Sequence, residues 1–393
     1  MKNVRFGIIG LGNMGGVHAR AILEGKIPGA VLGAVCDMNP AALAAFPGIL
    51  SFSESDAMIA SGAVDAVLIG TPHFSHTPIG IAALKAGLHV LVEKPISVHK
   101  ADCEKLIAAY KASKLKHRKQ VFAAMFNQRT DPFYLKLREL IRSGELGSVR
   151  RIQWTVTNWF RSQAYYNSGG WRATWAGEGG GVLLNQCPHN LDLWQWLFGM
   201  PEKVRAFAAL GRYHDIEVED DVTAYLSYRD GATGVFITST GEAPGTNRLE
   251  VAAERGRVVI ENGRFSYTRN EVPMSEFSRT TPHGFERPPV WEATIPISGN
   301  GEQHNGILKN FVESILDGKT LIAPAVEGIH SVELANAMLL SSSEEATVAL
   351  PLSGARYAAL LEKRIAASKK SAKAKPKPKL AKTAGDFSKS FNS

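Results

Sequence analysis

Residues 4–15 read VRFGIIGLGNMG, and this stretch decides the fold of the first part of the chain. A mostly apolar run typical of a buried strand leads directly into three glycines in the spacing GxGxxG. A helical pattern then runs from Met14 to Leu23. A glycine-rich turn between a strand and a helix lets a pyrophosphate approach the backbone and bind at the helix N-terminus. The turn predicts a dinucleotide site, with cofactor-binding residues Gly10, Gly12, Asn13, Met14 and Gly15.

An acidic residue, Asp37, lies 22 residues beyond Gly15, at the end of the next apolar run. A carboxylate at this position suits a ribose hydroxyl and repels a 2′-phosphate. We therefore expect NAD as the cofactor, with NADP less favoured.

Strand-like and helical segments alternate through the first 125 residues, as a parallel sheet with crossover helices requires. We predict an α/β Rossmann domain, a doubly wound parallel sheet, over residues 1–126. From residue 127 to residue 364 we predict an α+β domain with a large, mostly antiparallel open sheet. The strands predicted for the first domain are Val4–Ile9, Ala30–Cys36, Val64–Ile69, His89–Val92 and Gln120–Met125.

The formal net charge of +8 is concentrated at the end of the chain. Residues 369–393 hold eight lysines and one acid, so they carry +7 and leave the rest of the chain at +1. A Lys/Ala/Pro-rich segment has too little apolar surface to offset its ordering entropy. We expect a disordered tail over residues 365–393 and no specific nucleic-acid partner.

Other global features point to a cytoplasmic enzyme without a metal. The sequence has no run of 18 apolar residues and no secretory signal, so we expect no membrane association. Its three cysteines lack the spacing of metal ligands.

Two short motifs follow predicted strands at the edge where open α/β sheets bind ligands. Thr71-Pro72-His73 comes after the strand ending at Ile69, and Glu93-Lys94-Pro95 comes after the strand ending at Val92. A partly desolvated lysine there has a lowered pKa and can hydrogen-bond a reacting oxygen. The alternative is a surface ion pair between Glu93 and Lys94. We assign Thr71, Pro72, His73, His76, Glu93 and Lys94 to the cofactor side of the site, with Lys94 also catalytic.

A third motif runs from Gly179 to Asp192, GGGVLLNQCPHNLD. If its helix begins early, the spacing places Asn185, His189 and Asp192 near one face. His189 would then serve as an acid or base toward a substrate hydroxyl. The alternative is a structural histidine near a helix start, with Asn185 as a cap.

Taken together, GLGNMG, TPHFSH, HVLVEKP, WRATWAGEGGGVLL and NxxxHxxD resemble the glucose–fructose oxidoreductase and inositol dehydrogenase (Gfo/Idh/MocA) family over residues 4–350. The resemblance implies an active site between the two domains and an open sheet that makes oligomer contacts, in a dimer or tetramer. It also implies that Lys94 polarises or deprotonates a substrate hydroxyl, that His189 completes the proton transfer, and that nicotinamide takes the hydride.

Two departures from the family pattern affect these roles. Asn185 stands where the family often has Asp, and an amide cannot accept a proton as a carboxylate does. We therefore expect Asn185 to orient the substrate. His73 stands where the family usually has Asn. Its imidazole either modifies the site near the cofactor or only packs against neighbouring side chains.

We expect oxidation of a secondary alcohol on a carbohydrate substrate, which is a sugar, glycoside or cyclitol. Two alternatives remain at this point: an NAD-recycling enzyme that cleaves or eliminates glycosides, and a non-catalytic nucleotide-sensing regulator. The residues predicted to bind the substrate are Asn185, Asp192, Arg129, Tyr166, Trp171 and Arg172, with Tyr165 as a further candidate for the same wall.

Overall fold

The computed structural model describes residues 3–168 and 170–372, with side chains up to residue 368. It contains a six-stranded sheet followed by a nine-stranded sheet. The predicted fold class is confirmed.

The first sheet is wholly parallel and has the strand order β3-β2-β1-β4-β5-β6. Its central strands are buried on both faces, because helices cover both sides of a doubly wound sheet. The order reverses between β1 and β4, which opens a crevice at their carboxyl ends. The elements of this part are β1 (Val4–Ile9), α1 (Asn13–Leu23), β2 (Ala30–Cys36), α2 (Pro40–Leu43), β3 (Leu50–Phe52), α3 (Ser55–Ala60), β4 (Ala66–Ile69), α4 (His76–Lys85), β5 (His89–Val92), α5 (Lys100–Lys116) and β6 (Phe122–Ala124).

The second sheet has the order β14-β13-β12-β11-β7-β10-β9-β8-β15 and is antiparallel except for the β7–β10 pair. One face is covered by helices: Trp194 of α8 packs against Trp154 of β7 and Phe236 of β10. Its elements are α6 (Pro132–Arg142), β7 (Val149–Val156), α7 (Gln163–Asn167), α8 (Pro188–Phe198), β8 (Lys203–Leu210), β9 (Glu219–Ser227), β10 (Thr233–Ser239), β11 (Asn247–Ala253), β12 (Gly256–Glu261), β13 (Arg264–Asn270), α9 (Met274–Thr280), β14 (Val290–Ile295), α10 (Gln303–Leu316), α11 (Gly328–Glu344), β15 (Val348–Ala349) and α12 (Gly354–Ala372).

Helix α10 returns to the first sheet, although its sequence position lies within the predicted second domain. Ile307, Leu308 and Phe311 belong to the same apolar core as Phe6 of β1, and the Phe6 and Phe311 ring centroids are 5.9 Å apart. The first core is therefore completed by residues far along the chain. This return brings the start of α10 close to the crevice.

Helix α12 continues through residues 365–372, so the prediction that the disordered tail begins at residue 365 is wrong for these eight residues. The segment reads IAASKKSA, and its three alanines and two lysines favour helix. Tyr357 and Leu361 are buried, and Ser368 Oγ donates a hydrogen bond of 2.7 Å to Glu217 Oε1. Residues 373–393 of the predicted tail lie outside the described residues. Within the described residues, no helix is both long and apolar enough to cross a membrane.

Candidate active site

A cavity of about 1800 Å³ lies between the two sheets, along the crevice of the first. Its wall is formed by the dinucleotide turn, the end of β5, the segment after β7, the start of α8 and the start of α10. Lys94 and His189 are 95 positions apart in the sequence, yet both line this cavity.

The three glycines of the dinucleotide turn have different structural roles. Gly10 has a φ of +87°, in the left-handed region that favours glycine. A Cβ at Gly15 would lie 1.8 Å from the Gly10 carbonyl oxygen, so Gly15 allows α1 to pack closely on β1. A Cβ at Gly12 would meet no atom within 4 Å. Gly12 therefore leaves open space beside the N-terminus of α1, where no side chain caps the backbone amides. Asn13 and Met14, in the first turn of α1, also line the cavity.

Acidic side chains surround one end of the cavity. Asp37 Oδ2 accepts a hydrogen bond of 2.7 Å from the Leu11 amide, which ties β2 to the dinucleotide turn. Glu54 and Asp56 line the same end. Burial raises the pKa of Cys36 to about 11, and the negative charges of Asp37 and Glu54 act in the same direction.

Lys94 lies at the cavity wall, directly after β5. Its Nζ donates a hydrogen bond of 2.8 Å to the backbone carbonyl of Asn185. Burial lowers the pKa of Lys94, while the negative charges of Glu93 and Glu178 oppose that shift. A lysine in this environment holds a proton less tightly than a free lysine.

Glu93 forms a buried cluster with two histidines. His18 Nε2 and Glu93 Oε1 are 2.7 Å apart, and the His18 and His304 ring centroids are 5.6 Å apart. Burial alone would raise the pKa of Glu93, but the hydrogen bond and charge of His18, with His304 and Lys94, lower it to about 2. Glu93 therefore remains a carboxylate beside the Lys94 amine, and it is not the surface partner that the alternative interpretation required.

His189 lies in the first turn of α8 and is buried. Its Nδ1 has no hydrogen-bond partner among the described residues. Burial, followed by the positive charge of Lys94, lowers the pKa of His189 well below that of a free histidine. The neutral ring therefore offers a polar atom to a ligand in the cavity.

Asn185 precedes α8, so it does not share a helix face with His189. Its side-chain amide donates to the buried carboxylate of Glu178, whose other oxygen accepts from the Ala173 amide at 2.7 Å. Burial raises the pKa of Glu178. The carboxylate that the family often has at position 185 is absent here. The Asn185 side chain instead contacts a carboxylate at position 178.

Thr71, Pro72, His73 and His76, which we predicted to bind the cofactor, line the cavity after β4. The two ring nitrogens of His76 lie 2.8 Å from the carbonyl oxygens of Pro95 and Thr71, so this side chain connects the two motif loops. His73 contacts the Glu178 carbonyl at 3.2 Å, and burial lowers its pKa to about 3. His73 is therefore a neutral, packed side chain.

Aromatic and cationic side chains line a further part of the cavity wall, formed by residues that follow β7. They are Arg161, Tyr165, Trp171 and Arg172. The Arg172 guanidinium donates to the Tyr165 hydroxyl at 2.8 Å. Tyr166 does not line the cavity: its hydroxyl pairs with Thr240 Oγ1 at 2.8 Å in the interior. The wall residue is Tyr165, because neighbouring residues of the short helix α7 point in different directions.

The prediction that Arg129 and Asp192 bind substrate hydroxyls does not fit the structure. Neither residue lines the cavity. Asp192 accepts two hydrogen bonds from Arg129, at 2.7 and 2.6 Å, and both side chains are fully buried. Asp192 lies on α8 three residues after His189, and its carboxylate forms a structural ion pair with Arg129 in the protein core.

Several residues of the site were not predicted. Glu178 lies within the GEGGG segment, where its acidic side chain among glycines was an available signal. His18 and His304 gave no such signal, because only the folded chain brings α1 and α10 to Glu93. Among the described residues there is no cluster of three side chains able to hold a metal ion.

Comparisons with known proteins agree with this architecture. A model of the oxidoreductase family with NAD-binding Rossmann fold (GFO_IDH_MocA) matches residues 4–121, and a model of the GFO/IDH/MocA C-terminal domain matches residues 134–259. An inositol 2-dehydrogenase from Rhizobium meliloti (strain 1021) is 28% identical over 354 residues, which cover 88% of this chain and 99% of that protein.

Two solved structures show the same fold. The WlbA dehydrogenase from Chromobactrium violaceum, in complex with NADH and UDP-GlcNAcA, is 27% identical with a TM-score of 0.76, covering 90% of this chain and 97% of its own. A levoglucosan dehydrogenase in complex with NADH and levoglucosan has a TM-score of 0.73 at 20% identity, covering 89% of this chain and 100% of its own. The chain therefore belongs to the Gfo/Idh/MocA family of NAD-binding oxidoreductases.

Proposed function

We propose that the protein reversibly oxidises a secondary alcohol of a sugar, glycoside or cyclitol, with NAD as the hydride acceptor. The observation that carries this proposal is that Lys94 and His189 line the same cavity as the dinucleotide turn. The inositol 2-dehydrogenase relative and the NADH-bound neighbours support a polyol or sugar substrate.

The residues of the first domain fit a dinucleotide. The uncapped amides of α1 and the open space beside Gly12 suit a pyrophosphate, which is bound by backbone N–H groups and by the positive end of the helix dipole. Bound NAD⁺ would supply the hydride acceptor at the substrate carbon. Glu93 remains ionised through its contact with His18 and places a fixed negative charge beside Lys94.

In alcohol oxidation, the Lys94 amine accepts the proton of the reacting hydroxyl. Burial favours the neutral amine that this step requires, and the hydrogen bond to the Asn185 carbonyl fixes the position of the nitrogen. His189 holds the same hydroxyl or its neighbour through a neutral ring. Asn185 is itself held by Glu178, so its side chain is oriented rather than free to rotate.

NAD rather than NADP is supported by the acidic end of the cavity. A 2′-phosphate carries close to two negative charges and would lie among Asp37, Glu54 and Asp56. We expect Asp37→Asn to lower the NAD-to-NADP ratio of kcat/KM by at least tenfold, because one of the repelling charges is lost while an acceptor for the Leu11 amide remains. Steady-state kinetics with both cofactors measures this ratio, and an unchanged ratio contradicts the assignment.

We also propose that copies of the chain associate, as a dimer or tetramer, through the outer face of the nine-stranded sheet. Phe207 and Tyr225 are 64% and 49% exposed on this face, where β8 and β9 are paired. Sedimentation analysis of the wild type and of Phe207→Glu tests this proposal, and a wild type that remains monomeric contradicts it.

The direct test of function is a panel of sugars, glycosides and inositols assayed for NADH formation. The proposal requires NADH to accumulate with at least one alcohol. Release of the aglycone from a glycoside without NADH accumulation would instead favour the NAD-recycling alternative. Salt-sensitive DNA binding without any dehydrogenase activity would favour the regulator.

A further inference from the structure

Buried polar atoms without partners are concentrated in the cavity wall. Among the described residues, twelve buried side-chain N or O atoms have no hydrogen-bond partner, and seven of them belong to residues that line this cavity. Leaving such an atom unpaired destabilises the fold, because the atom has lost its hydrogen bonds to water without gaining others. A bound ligand would therefore be expected to supply partners here.

Three of these atoms lie in the segment that follows β7. They are Asn158 Oδ1, Trp159 Nε1 and Arg161 Nε. Two of the three are N–H donors, and one of those donors carries a positive charge. Both donors need an acceptor, which the oxygen atoms of a ligand would supply.

Arg161 lines the same cavity as Lys94 and His189. Its positive charge is one of the causes that lower the pKa of Lys94. Among the described residues, no carboxylate forms a salt bridge with Arg161, whereas Arg129 is paired with Asp192. The charge of Arg161 is thus not neutralised by an ion pair within the described fold.

A second guanidinium lies on the same wall. The Cζ atoms of Arg161 and Arg172 are 5.2 and 4.8 Å from the centroid of the Tyr165 ring. Asp37, Glu54 and Asp56 line the cavity from the segments after β2 and β3, whereas Arg161 and Arg172 line it from the segments after β7. An oxyanion would be repelled by the three carboxylates and attracted to Arg161 and Arg172.

We propose that the alcohol substrate carries an oxyanion, a carboxylate or a phosphate, which binds to Arg161 with Arg172 adding to the positive field. Guanidinium groups bind both anions through paired N–H donors. The inference rests on the proposed function, since it names the class of alcohol: a sugar acid or sugar phosphate rather than a neutral sugar or inositol.

The test compares three related probes: D-glucuronate, D-glucose 6-phosphate and the neutral D-glucose. Binding to the NADH-loaded protein is measured by quenching of tryptophan fluorescence, since Trp159 and Trp171 line the cavity. NADH formation is measured separately with NAD⁺. We expect at least one anion to bind tenfold or more tightly than glucose, and its affinity to fall with added salt. The two anion arms identify which oxyanion the site prefers.

The variant Arg161→Gln should weaken binding of the preferred anion by about 10- to 100-fold, the effect of losing one charge-assisted hydrogen bond. Binding of glucose should weaken by less than threefold. Arg161→Lys should restore part of the anion affinity, and Arg118→Gln, at an exposed position outside the cavity, is the matched control.

The inference is overturned if glucose binds as tightly as both anions, if neither anion binds, or if Arg161→Gln weakens all three probes equally. Anion-selective binding without NADH formation from any alcohol would instead contradict the proposed function and leave the oxyanion site standing. NADH formation from neutral sugars with no anion preference would support the proposed function and contradict the oxyanion site.

Discussion

Replacing Lys94 by methionine removes the amine while keeping a side chain of similar length. Loss of a general acid or base slows the chemical step by about 10²- to 10⁴-fold. At 1.36 kcal/mol per factor of ten, this equals about 3–5 kcal/mol of transition-state stabilisation. We expect kcat for alcohol oxidation to fall by that factor, while NAD⁺ affinity changes less than threefold, because the dinucleotide turn lies on other elements.

The same substitution should have only a moderate effect on folding. It removes the 2.8 Å hydrogen bond to the Asn185 carbonyl, which costs at most about 3 kcal/mol. Removing an amine whose charged form is disfavoured by burial offsets part of that cost. Urea unfolding of the variant should therefore still show a cooperative transition.

The pH dependence of the wild type gives a second readout for Lys94. Because burial lowers its pKa, the amine becomes neutral at lower pH than a free lysine, whose pKa is 10.5. Oxidation should accelerate as pH rises, with a midpoint below 10.5, and this rise should be absent in Lys94→Met.

Two further variants separate chemistry from structure. Lys94→Arg keeps a donor for the Asn185 carbonyl but cannot lose its proton, so it should be nearly as slow as Lys94→Met. Lys105→Met removes an exposed lysine paired with Asp102 and should change neither activity nor stability by more than about 0.5 kcal/mol. If Lys94→Met turns over at the wild-type rate, Lys94 has no part in the mechanism.

Three other substitutions test separate parts of the account. Gly12→Ala should unfold at the wild-type temperature but bind NAD⁺ at least tenfold more weakly, whereas Gly15→Ala should lower the melting temperature, because its Cβ would lie 1.8 Å from a backbone oxygen. Calorimetry and cofactor titration measure the two effects, and identical behaviour of the two variants would refute the distinction. Glu178→Gln should lower kcat and shift the rising limb of the pH–rate profile to lower pH, because the charge of Glu178 raises the pKa of Lys94. Glu178→Asp should reverse part of both changes, and an unchanged pH–rate profile in Glu178→Gln would assign Glu178 a packing role only. Asp192→Asn should lower the free energy of unfolding by about 3–5 kcal/mol, with a KM change below threefold, because it breaks the buried ion pair with Arg129. A raised KM at unchanged stability would instead support a substrate-binding role for Asp192.

Local signals in the sequence were sufficient for most strands of the first domain. The predicted bounds of β1, β2 and β5 are those of the structure, because each is a short apolar run with glycine or charged residues at its ends. The three-residue strand β3 was missed, since so short a segment has no measurable period. The strand β14 is exposed along most of its length and lacks the alternation that indicates a half-buried strand.

The site was predicted where it depends on motifs and missed where it depends on tertiary contacts. Lys94 and His189 each follow a recognisable signal, so their presence at the cavity was expected. Asp192 was misassigned because spacing within the motif does not show that its carboxylate pairs with Arg129, 63 positions earlier in the chain. The argument also assumed a helix beginning before Pro188, which is wrong for Asn185 because residues 181–187 form turns. Arg161 was missed because its presence in the same cavity as Lys94 depends on how the second sheet packs against the first.

The central claim is that Lys94 and His189 act on one hydroxyl beside the nicotinamide. A crystal structure of the Lys94→Met variant with NAD⁺ and an alcohol that the wild type oxidises tests it most directly. The account predicts that C4 of the nicotinamide faces the substrate carbon, and that its hydroxyl lies between the His189 ring and the side chain at position 94. A substrate bound away from either residue, or a nicotinamide turned out of the cavity, would contradict it.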